Sequence, residues 1–302
     1  MLKKWTVSIL CLSLILSFSA CGSAETGDKE EEKLKVSVTF NALKEFTEAV
    51  GGDKVQISTI VPDGVEPHDF EPKARDLTAL SQAQLFVYNG LGMEAWVDKA
   101  IASADAENLI TVDVSTGITP IKNNDEKDIE EHGQYDPHIW LSLKDAETAV
   151  TNIKDALSKA DPGNKEYYEL NCSGYISKLE SLYSEYSEKF GALEKKSFVT
   201  GHAAFAYLCR DFGLEQKSVE DVFAEGEPGA RTLTELVEYC KSNDITTVFA
   251  EEMASPEVSE TLARAAGAEL ETIYTIESAE DGKTYLERME ENLKKIYSSL
   301  SE

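Results

Sequence analysis

The sequence predicts an α/β fold in which two βα lobes with mostly parallel sheets are joined by one long rigid helix. Two observations predict it: short apolar segments alternate with amphipathic helical segments in both halves of the chain, and a single long helical pattern separates the halves. Strands separated by about 10–15 residues of helical pattern imply βαβ units with parallel strands. Because ligands of such folds collect at the carboxyl ends of the strands, we expect the functional residues there.

The N-terminal lobe is predicted at residues 34–160, where strand and helix patterns alternate. The strand candidates are Leu34–Phe40, Val55–Val61, Leu85–Tyr88, Ile110–Val114 and a short one at His138–Leu141. The helical patterns are Ala42–Val50, Asp76–Ala83, Met93–Ser103 and Leu143–Lys159.

The C-terminal lobe is predicted at residues 194–302, where strand and helix patterns alternate again. Its strand candidates are Ser197–Thr200, Gln216–Val219, Thr246–Ala250 and Glu269–Tyr274. Its helical patterns are Ala203–Phe212, Thr232–Asn243, Pro256–Ala266 and Lys283–Leu300.

A linking helix is predicted within residues 161–193. Asp161 followed by Pro162 is typical of a helix start, and the pattern then runs from Lys165 to about Leu193. One apolar stripe at helical spacing supports it: Tyr175, Leu179, Leu182, Tyr186 and Phe190. Such a helix is roughly 43 Å long, enough to span and join two lobes. A coiled-coil arm is the alternative, but a single stripe without flanking heptads argues against it.

The N-terminus has the pattern of an export signal. Residues 1–20 combine Lys3 and Lys4 with an apolar run of about a dozen residues, which is too short to span a bilayer. A small-residue pair before Cys21 is typical of a bacterial lipoprotein, in which this cysteine is lipidated; an ordinary signal peptide is the alternative. Residues 21–33 are small and charged, so we expect a flexible tether that holds the protein at the extracytoplasmic face of the cell membrane.

Charge and cysteine content restrict the function further. The formal net charge of the 302 residues is −27, which argues against nucleic acid as a partner, because phosphate binding requires clustered Lys and Arg. The acidity also keeps an exported protein soluble. Cys172, Cys209 and Cys240 are widely spaced and have no Cys-x-x-Cys pattern. We expect buried thiols, with one disulfide as the alternative.

Three of the four histidines lie in short, polar turns. His68 is bracketed by Pro67 and Pro72, His138 follows Asp-Pro, and His202 follows a glycine at a predicted strand end. Prolines restrict the backbone and so hold a ligand in place before the tertiary structure forms. Neutral imidazole is the commonest side-chain ligand for a metal such as zinc. We therefore predict that the three imidazoles meet at one metal ion.

A carboxylate is the expected fourth ligand. Glu277 follows the last predicted strand and lies 75 residues after His202, which continues the spacing of the histidines. Glu280 and Asp281 are the alternatives, and Glu251 and Glu252 are candidates for orienting the ligands rather than binding the metal. The remaining histidine, His132, lies in the acidic loop 122–135, which we interpret as a mobile solvated loop.

The chain resembles the cluster A-I solute-binding lipoproteins of zinc and manganese ABC transporters. The resemblance covers essentially the whole mature chain, and the segment around His68 is its most specific part. The matching segments are Gly-Val-Glu-Pro-His-Asp-Phe-Glu-Pro at 64–72, Asp-Pro-His-Ile-Trp at 136–140, Gly-His-Ala-Ala-Phe at 201–205, Glu-Pro at 227–228 and Phe-Ala-Glu-Glu at 249–252.

The resemblance implies a metal in a cleft between the two lobes, held by His68 and His138 from the first lobe and by His202 and Glu277 from the second. A histidine at the third position implies zinc, with manganese less favoured. It also implies delivery to an ABC permease with its ATP-binding subunit, and we expect a monomer. The loop before His138 departs from many zinc members, because it is acidic rather than histidine-rich.

A zinc hydrolase and a surface adhesin are the two alternative classes of function. A zinc hydrolase would use the three histidines as ligands, a water as the fourth and Glu277 or Glu251 as the general base. The sequence has no His-Glu-x-x-His or Gly-x-Ser-x-Gly motif, and four protein ligands leave no open position for a substrate, so we do not expect an enzyme. A surface adhesin is the third class, and it is compatible with a metal-binding role.

Overall fold

The computed structural model describes residues 32–104, 108–123, 129, 133–223, 229–252, 255–279 and 281–302. Residues 32–302 form one compact unit. None of the described helices combines the length and the apolar sequence that a membrane span requires. The predicted signal peptide, Cys21 and most of the tether lie outside the described residues, as do His132 and Glu280.

The first sheet has four parallel strands in the order β2-β1-β3-β4. Helix α1 follows β1 and buries Leu43, Phe46 and Val50 on one face. At the start of α4, the Ser142 hydroxyl accepts a hydrogen bond of 2.9 Å from the Asp145 N–H, which caps the helix. The strands are β1 Leu34–Val38, β2 Val55–Thr59, β3 Leu85–Tyr88 and β4 Ile110–Asp113, and the helices are α1 Asn41–Gly51, α2 Leu77–Gln82, α3 Val97–Ser103 and α4 Leu143–Ala160.

The second sheet repeats this topology with four parallel strands in the order β6-β5-β7-β8. In each sheet the first strand of that half lies between the second and the third. The order in which strands are added therefore reverses at the equivalent place in both sheets. The strands are β5 Ser197–Thr200, β6 Glu215–Ser218, β7 Thr247–Glu251 and β8 Glu269–Ile273. The helices are α6 Ala206–Phe212, α7 Ala230–Ser242, α8 Glu257–Ala266 and α9 Tyr285–Ser301, with the linking helix α5 at Lys165–Gly191.

Helix α5 is the long helix that the sequence predicts. It follows a single 3-10 turn at Pro162–Asn164 and runs for 27 residues, about 40 Å. It packs on α1 and α4 of the first half and on α6 and α9 of the second half. The structure therefore confirms the α/β architecture with two parallel sheets and a long helix, whereas the exact lobe boundaries at 34–160, 161–193 and 194–302 stay a prediction.

The short strand predicted at His138–Leu141 is wrong. Residues Ile139–Leu141 form a 3-10 turn that leads into α4. The Asp136 carboxylate accepts the His138 N–H at 2.9 Å, and the Pro137 carbonyl accepts the Ile139 N–H at 2.7 Å. Because these amides are satisfied locally, they are not available to a β ladder.

The cysteines and the acidic loop are the two remaining features that were predicted from the sequence. Cys172, Cys209 and Cys240 are free and buried, as the sequence predicts. The acidic loop 122–135 begins and ends at an antiparallel bridge between Lys122 and Tyr135. The rest of that loop is largely outside the described residues, so the role of His132 stays open.

Candidate metal centre

Four side chains from four separate segments converge on one buried point. His68 follows β2, His138 lies in the turn before α4, His202 lies between β5 and α6, and Glu277 follows β8. Each is at most 8% exposed. One possible ligand atom from each residue can be chosen so that all four atoms lie within 4.8 Å of one another. The structure thus brings together the four residues that the sequence predicts as ligands.

The spacing of the imidazole nitrogens suits a tetrahedral metal. His138 Nε2 lies 3.1 Å from His68 Nε2 and 3.2 Å from His202 Nε2. Ligand atoms about 2.05 Å from a tetrahedral zinc ion are about 3.3 Å apart. Glu277 Oε1 is 3.9 Å from His138 Nε2 and 4.0 Å from His68 Nε2, so the carboxylate would need to move closer to both imidazoles to complete the tetrahedron.

A local turn orients His138. Asp136 Oδ1 accepts two hydrogen bonds of 2.9 Å, one from the backbone N–H of His138 and one from its ring Nδ1. The proton therefore stays on Nδ1, and the Nε2 lone pair faces the other ligands. This role of Asp136 was not predicted from the sequence. An Asp two residues before a ligand histidine is typical of an Asx turn, and this signal could have identified it.

A long-range carboxylate orients His202 in the same way. Glu251, the last residue of β7, accepts the His202 backbone N–H at Oε1 (2.7 Å) and the ring Nδ1–H at Oε2 (2.6 Å). The predicted orienting role of Glu251 therefore matches its geometry.

Glu277 presents an unsatisfied oxygen to the three histidines. Its Oε1 is buried and has no hydrogen-bond partner within the part of the chain that the structure describes. A buried carboxylate oxygen without a donor is costly unless a cation compensates it. Of the two alternative fourth ligands, Asp281 is instead engaged by Arg288 and Lys283.

The pKa of one candidate ligand, His138, is lowered, whereas the pKa values of His202 and Glu277 are raised. Burial lowers the pKa of His138 well below its usual value, with a further contribution from His202, so this ring is neutral at pH 7. Burial also lowers the pKa of His202, but the adjacent Glu251 carboxylate more than offsets it, and the pKa is raised to about 10. Burial raises the pKa of Glu277 well above the usual range, and Glu66 raises it further. A bound cation would offset the cost of burying these carboxylates in their charged form, and it would reduce the repulsion between them.

Aromatic side chains and one further acid line the site. Phe223 packs edge-on against the His68 ring at 5.3 Å, and Trp140 lies 5.1 Å from the His138 ring. Glu66 accepts the His68 backbone N–H at 3.2 Å, a contact that the sequence analysis did not predict. These groups enclose the four candidate ligands in a site with little access to water.

The fold and the site define a class of α/β metal-binding protein with a closed His₃–carboxylate centre. Residues 36–299 match the family described as "Zinc-uptake complex component A periplasmic" (ZnuA). The chain belongs to this family.

Two relatives match this chain over nearly their whole length. A protein of Treponema pallidum (strain Nichols), named as a candidate metal-binding protein, is 46% identical over 309 residues, which cover 99% of this chain and 98% of the relative. The high-affinity zinc uptake system protein ZnuA of Bacillus subtilis (strain 168) is 36% identical over 316 residues and 99% of each chain.

Solved structures share the fold. Zn(II)-bound AdcA from Streptococcus pneumoniae is similar with a TM-score of 0.77 and 35% identity over 89% of this chain and 58% of that one. The laminin-binding protein Lmb of Streptococcus agalactiae, described as bifunctional with adhesin and metal transporting activity, gives a TM-score of 0.81 and 31% identity, covering 89% of this chain and 100% of that one.

Proposed function

We propose that this protein is the extracytoplasmic zinc-binding component of a metal ABC importer. It captures Zn²⁺ with His68, His138, His202 and Glu277 and delivers the ion to the membrane permease, which works with an ATP-binding subunit. The observation that carries the proposal is the convergence of three imidazole nitrogens and an unsatisfied carboxylate oxygen at one buried point. Family membership and the zinc-bound relative support the same function.

The site favours binding over catalysis. Four protein ligands fill a tetrahedral coordination sphere, whereas a catalytic zinc keeps a position open for water or substrate. Glu251, the candidate general base of a hydrolase, accepts two hydrogen bonds from His202 and is therefore occupied in orienting a ligand. The ion is thus the cargo of the protein.

Zinc is the favoured cargo over manganese. Three neutral imidazoles and one carboxylate form the borderline donor set of zinc sites, whereas Mn²⁺ prefers a site richer in oxygen ligands. Manganese is the alternative cargo.

Titration calorimetry of the metal-free protein with Zn²⁺ and with Mn²⁺ tests the proposal. We expect one tight zinc site per chain, weaker manganese binding, and loss of the tight site in His68→Ala and His202→Ala. Glu277→Ala tests the fourth ligand and should weaken zinc binding without abolishing it. The absence of a tight site, or zinc-dependent hydrolytic turnover, would overturn the assignment.

The location of the protein is part of the same proposal. Lipidation at Cys21, followed by the tether 21–33, would hold a monomer at the extracytoplasmic face of the cell membrane beside its permease. Metabolic labelling with a fatty acid, compared between wild type and Cys21→Ala, tests this. Label in wild type alone supports the anchor, and equal labelling of both would overturn it.

A second candidate function is adhesion to laminin. The similarity to Lmb covers 100% of that chain, and Lmb is described as having both adhesin and metal transporting activity. Binding of the zinc-loaded protein to immobilised laminin tests it, with His202→Ala as the comparison for metal dependence. No saturable binding would remove this function and leave the zinc proposal unaffected.

A further inference from the structure

Two consecutive glutamates lie at the end of β7, the strand between those that lead to His202 and Glu277. In the second sheet β7 pairs with β5 on one side and with β8 on the other. Glu251 is the last residue of β7, opposite Ile273 at the end of β8, and Glu252 follows directly. Because successive side chains of a strand point in opposite directions, the two carboxylates are directed to different surroundings. Glu251 holds His202, as described above.

Glu252 holds the segment that carries Glu277. Its carboxylate accepts the Thr275 N–H at 2.9 Å through Oε2 and at 3.1 Å through Oε1, and Oε1 also accepts the Ile276 N–H at 3.1 Å. The β ladder between β7 and β8 stops at Glu251 and Ile273, so these two amides have passed beyond the strand pairing. The Glu252 side chain replaces the missing strand as their acceptor.

The segment needs such a clamp because its backbone is unfavourable. Ile276, the residue before Glu277, has φ +63°. A β-branched residue in the left-handed region is strained and persists only where the surrounding structure fixes it. Two hydrogen bonds to a charged acceptor are among the stronger compensations available. Without them, the turn would relax and Glu277 would point away from the histidines.

We propose that Glu252 is a positioning residue of the metal site, which delivers Glu277 to the ion by fixing the Thr275–Ile276 peptide. This rests on the proposed function, because Glu277 must be a ligand for its position to matter. The two adjacent carboxylates at the end of β7 thus have different roles: Glu251 orients His202, and Glu252 orients Glu277. Neither contributes an atom to the coordination sphere.

Two conservative variants separate positioning from simple attraction of the cation. Glu252→Gln removes the charge but keeps an oxygen that reaches both amides. Glu252→Asp keeps the charge but shortens the side chain by one methylene, so it cannot reach both. If Glu252 positions Glu277, the Asp variant loses about 10-fold or more in zinc affinity, and the Gln variant stays within about threefold of wild type. The reverse order would overturn the proposal.

A double-mutant cycle identifies the ligand through which Glu252 acts. Zinc affinity is measured by calorimetry or chelator competition for Glu252→Asp, Glu277→Ala and the pair. In the Glu277→Ala background, Glu252→Asp should cause no further loss, since the positioned ligand is already absent. The matched control is Glu251→Gln, which should keep its full effect in that background because it acts through His202.

The outcomes distinguish this proposal from the function on which it rests. If wild type lacks a tight zinc site, the proposed function fails. If wild type and Glu277→Ala behave as expected, but Glu252→Asp binds zinc like wild type or loses affinity equally in both backgrounds, only the role of Glu252 fails. Circular dichroism and a melting curve of each metal-free variant establish that the variants are folded.

Discussion

Gly201 and Glu251 approach so closely that a methyl group on Gly201 would lie 3.1 Å from Glu251 Oε1. The absence of a side chain at position 201 lets this carboxylate reach both the backbone and the ring of the next residue, His202. A glycine before a ligand histidine is therefore part of the site, because it gives the orienting carboxylate room.

Gly201→Ala should weaken zinc binding. The added methyl group would displace Glu251 by a few tenths of an ångström and lengthen its hydrogen bonds to His202. We expect a loss of about 3- to 10-fold in zinc affinity, less than the 10- to 100-fold typical when an orienting partner is removed. Calorimetric titration measures it. Wild-type affinity in the alanine variant would show that Glu251 can shift without cost.

Gly174→Ala provides the contrasting glycine. Gly174 lies inside α5, and a Cβ there would meet no atom within 4 Å in the described part of the chain, apart from the neighbouring backbone of the helix itself. Alanine should raise the free energy of unfolding by about 0.5–1 kcal/mol because glycine is a poor helix residue. Urea unfolding measures this, and zinc affinity should not change. A destabilised variant would contradict the open environment of this position.

Zinc binding should release protons and strengthen as the pH rises. The pKa of His202 is raised to about 10 beside Glu251, so the metal-free ring is protonated at pH 7, and zinc must displace that proton. Affinity should rise by up to about tenfold per pH unit for each proton released between about pH 6 and 9. Calorimetry in buffers of different ionisation enthalpy counts the protons. Glu251→Gln should release about one fewer, and an equal count would contradict this assignment.

Removal of zinc should lower thermal stability. A ligand that binds only the folded state at a free concentration 100 times its dissociation constant adds about 2.7 kcal/mol to the free energy of unfolding. The melting temperature should therefore rise with zinc and fall again with a chelator. His68→Ala is the control, because zinc should shift its melting temperature far less. An equal shift in this variant would place the stabilising ion elsewhere.

Arg288→Met should destabilise the fold. The Arg288 guanidinium is 1% exposed and binds Asp281 Oδ1 at 3.0 Å and the Ser278 carbonyl at 2.8 Å. Loss of a buried charge partner should cost about 2–4 kcal/mol in urea unfolding of the metal-free protein. The control is Arg231→Met, because Arg231 is 91% exposed and pairs with Glu235 at the surface, so its loss should cost less than about 1 kcal/mol. Similar costs for both variants would contradict the burial argument.

The sequence patterns predicted most of the secondary structure for a local reason. Strands in a covered parallel sheet are short apolar runs, and α5 carries one apolar stripe, so periodicity alone indicates them. The turn at Ile139–Leu141 was assigned wrongly because its apolar residues look like a strand, whereas its amides are satisfied by Asp136 and Pro137. The pattern of apolar residues does not show whether a backbone amide will bond within a local turn or within a β ladder.

The candidate site was predictable to a similar extent. The three histidines were recognisable from their stiff turns, and Glu277 from its place after a strand. Asp136 was missed although it is close to His138 in sequence, because a side-chain hydrogen bond leaves no periodic signal. The different tasks of Glu251 and Glu252 could not be separated either, since two adjacent acids look equivalent until the neighbouring strands are known.

The α/β class, the long helix and the residues offered to a metal follow from the sequence, because they depend on composition, periodicity and local turn chemistry. The export signal stays a prediction. The meeting of the four side chains within 4.8 Å, and the pairing of each orienting carboxylate with its ligand, become visible in the folded chain alone. The reason is physical: convergence depends on strand order and on the packing of distant segments. Strand order puts β7 between the strands that lead to His202 and Glu277, which no local pattern encodes.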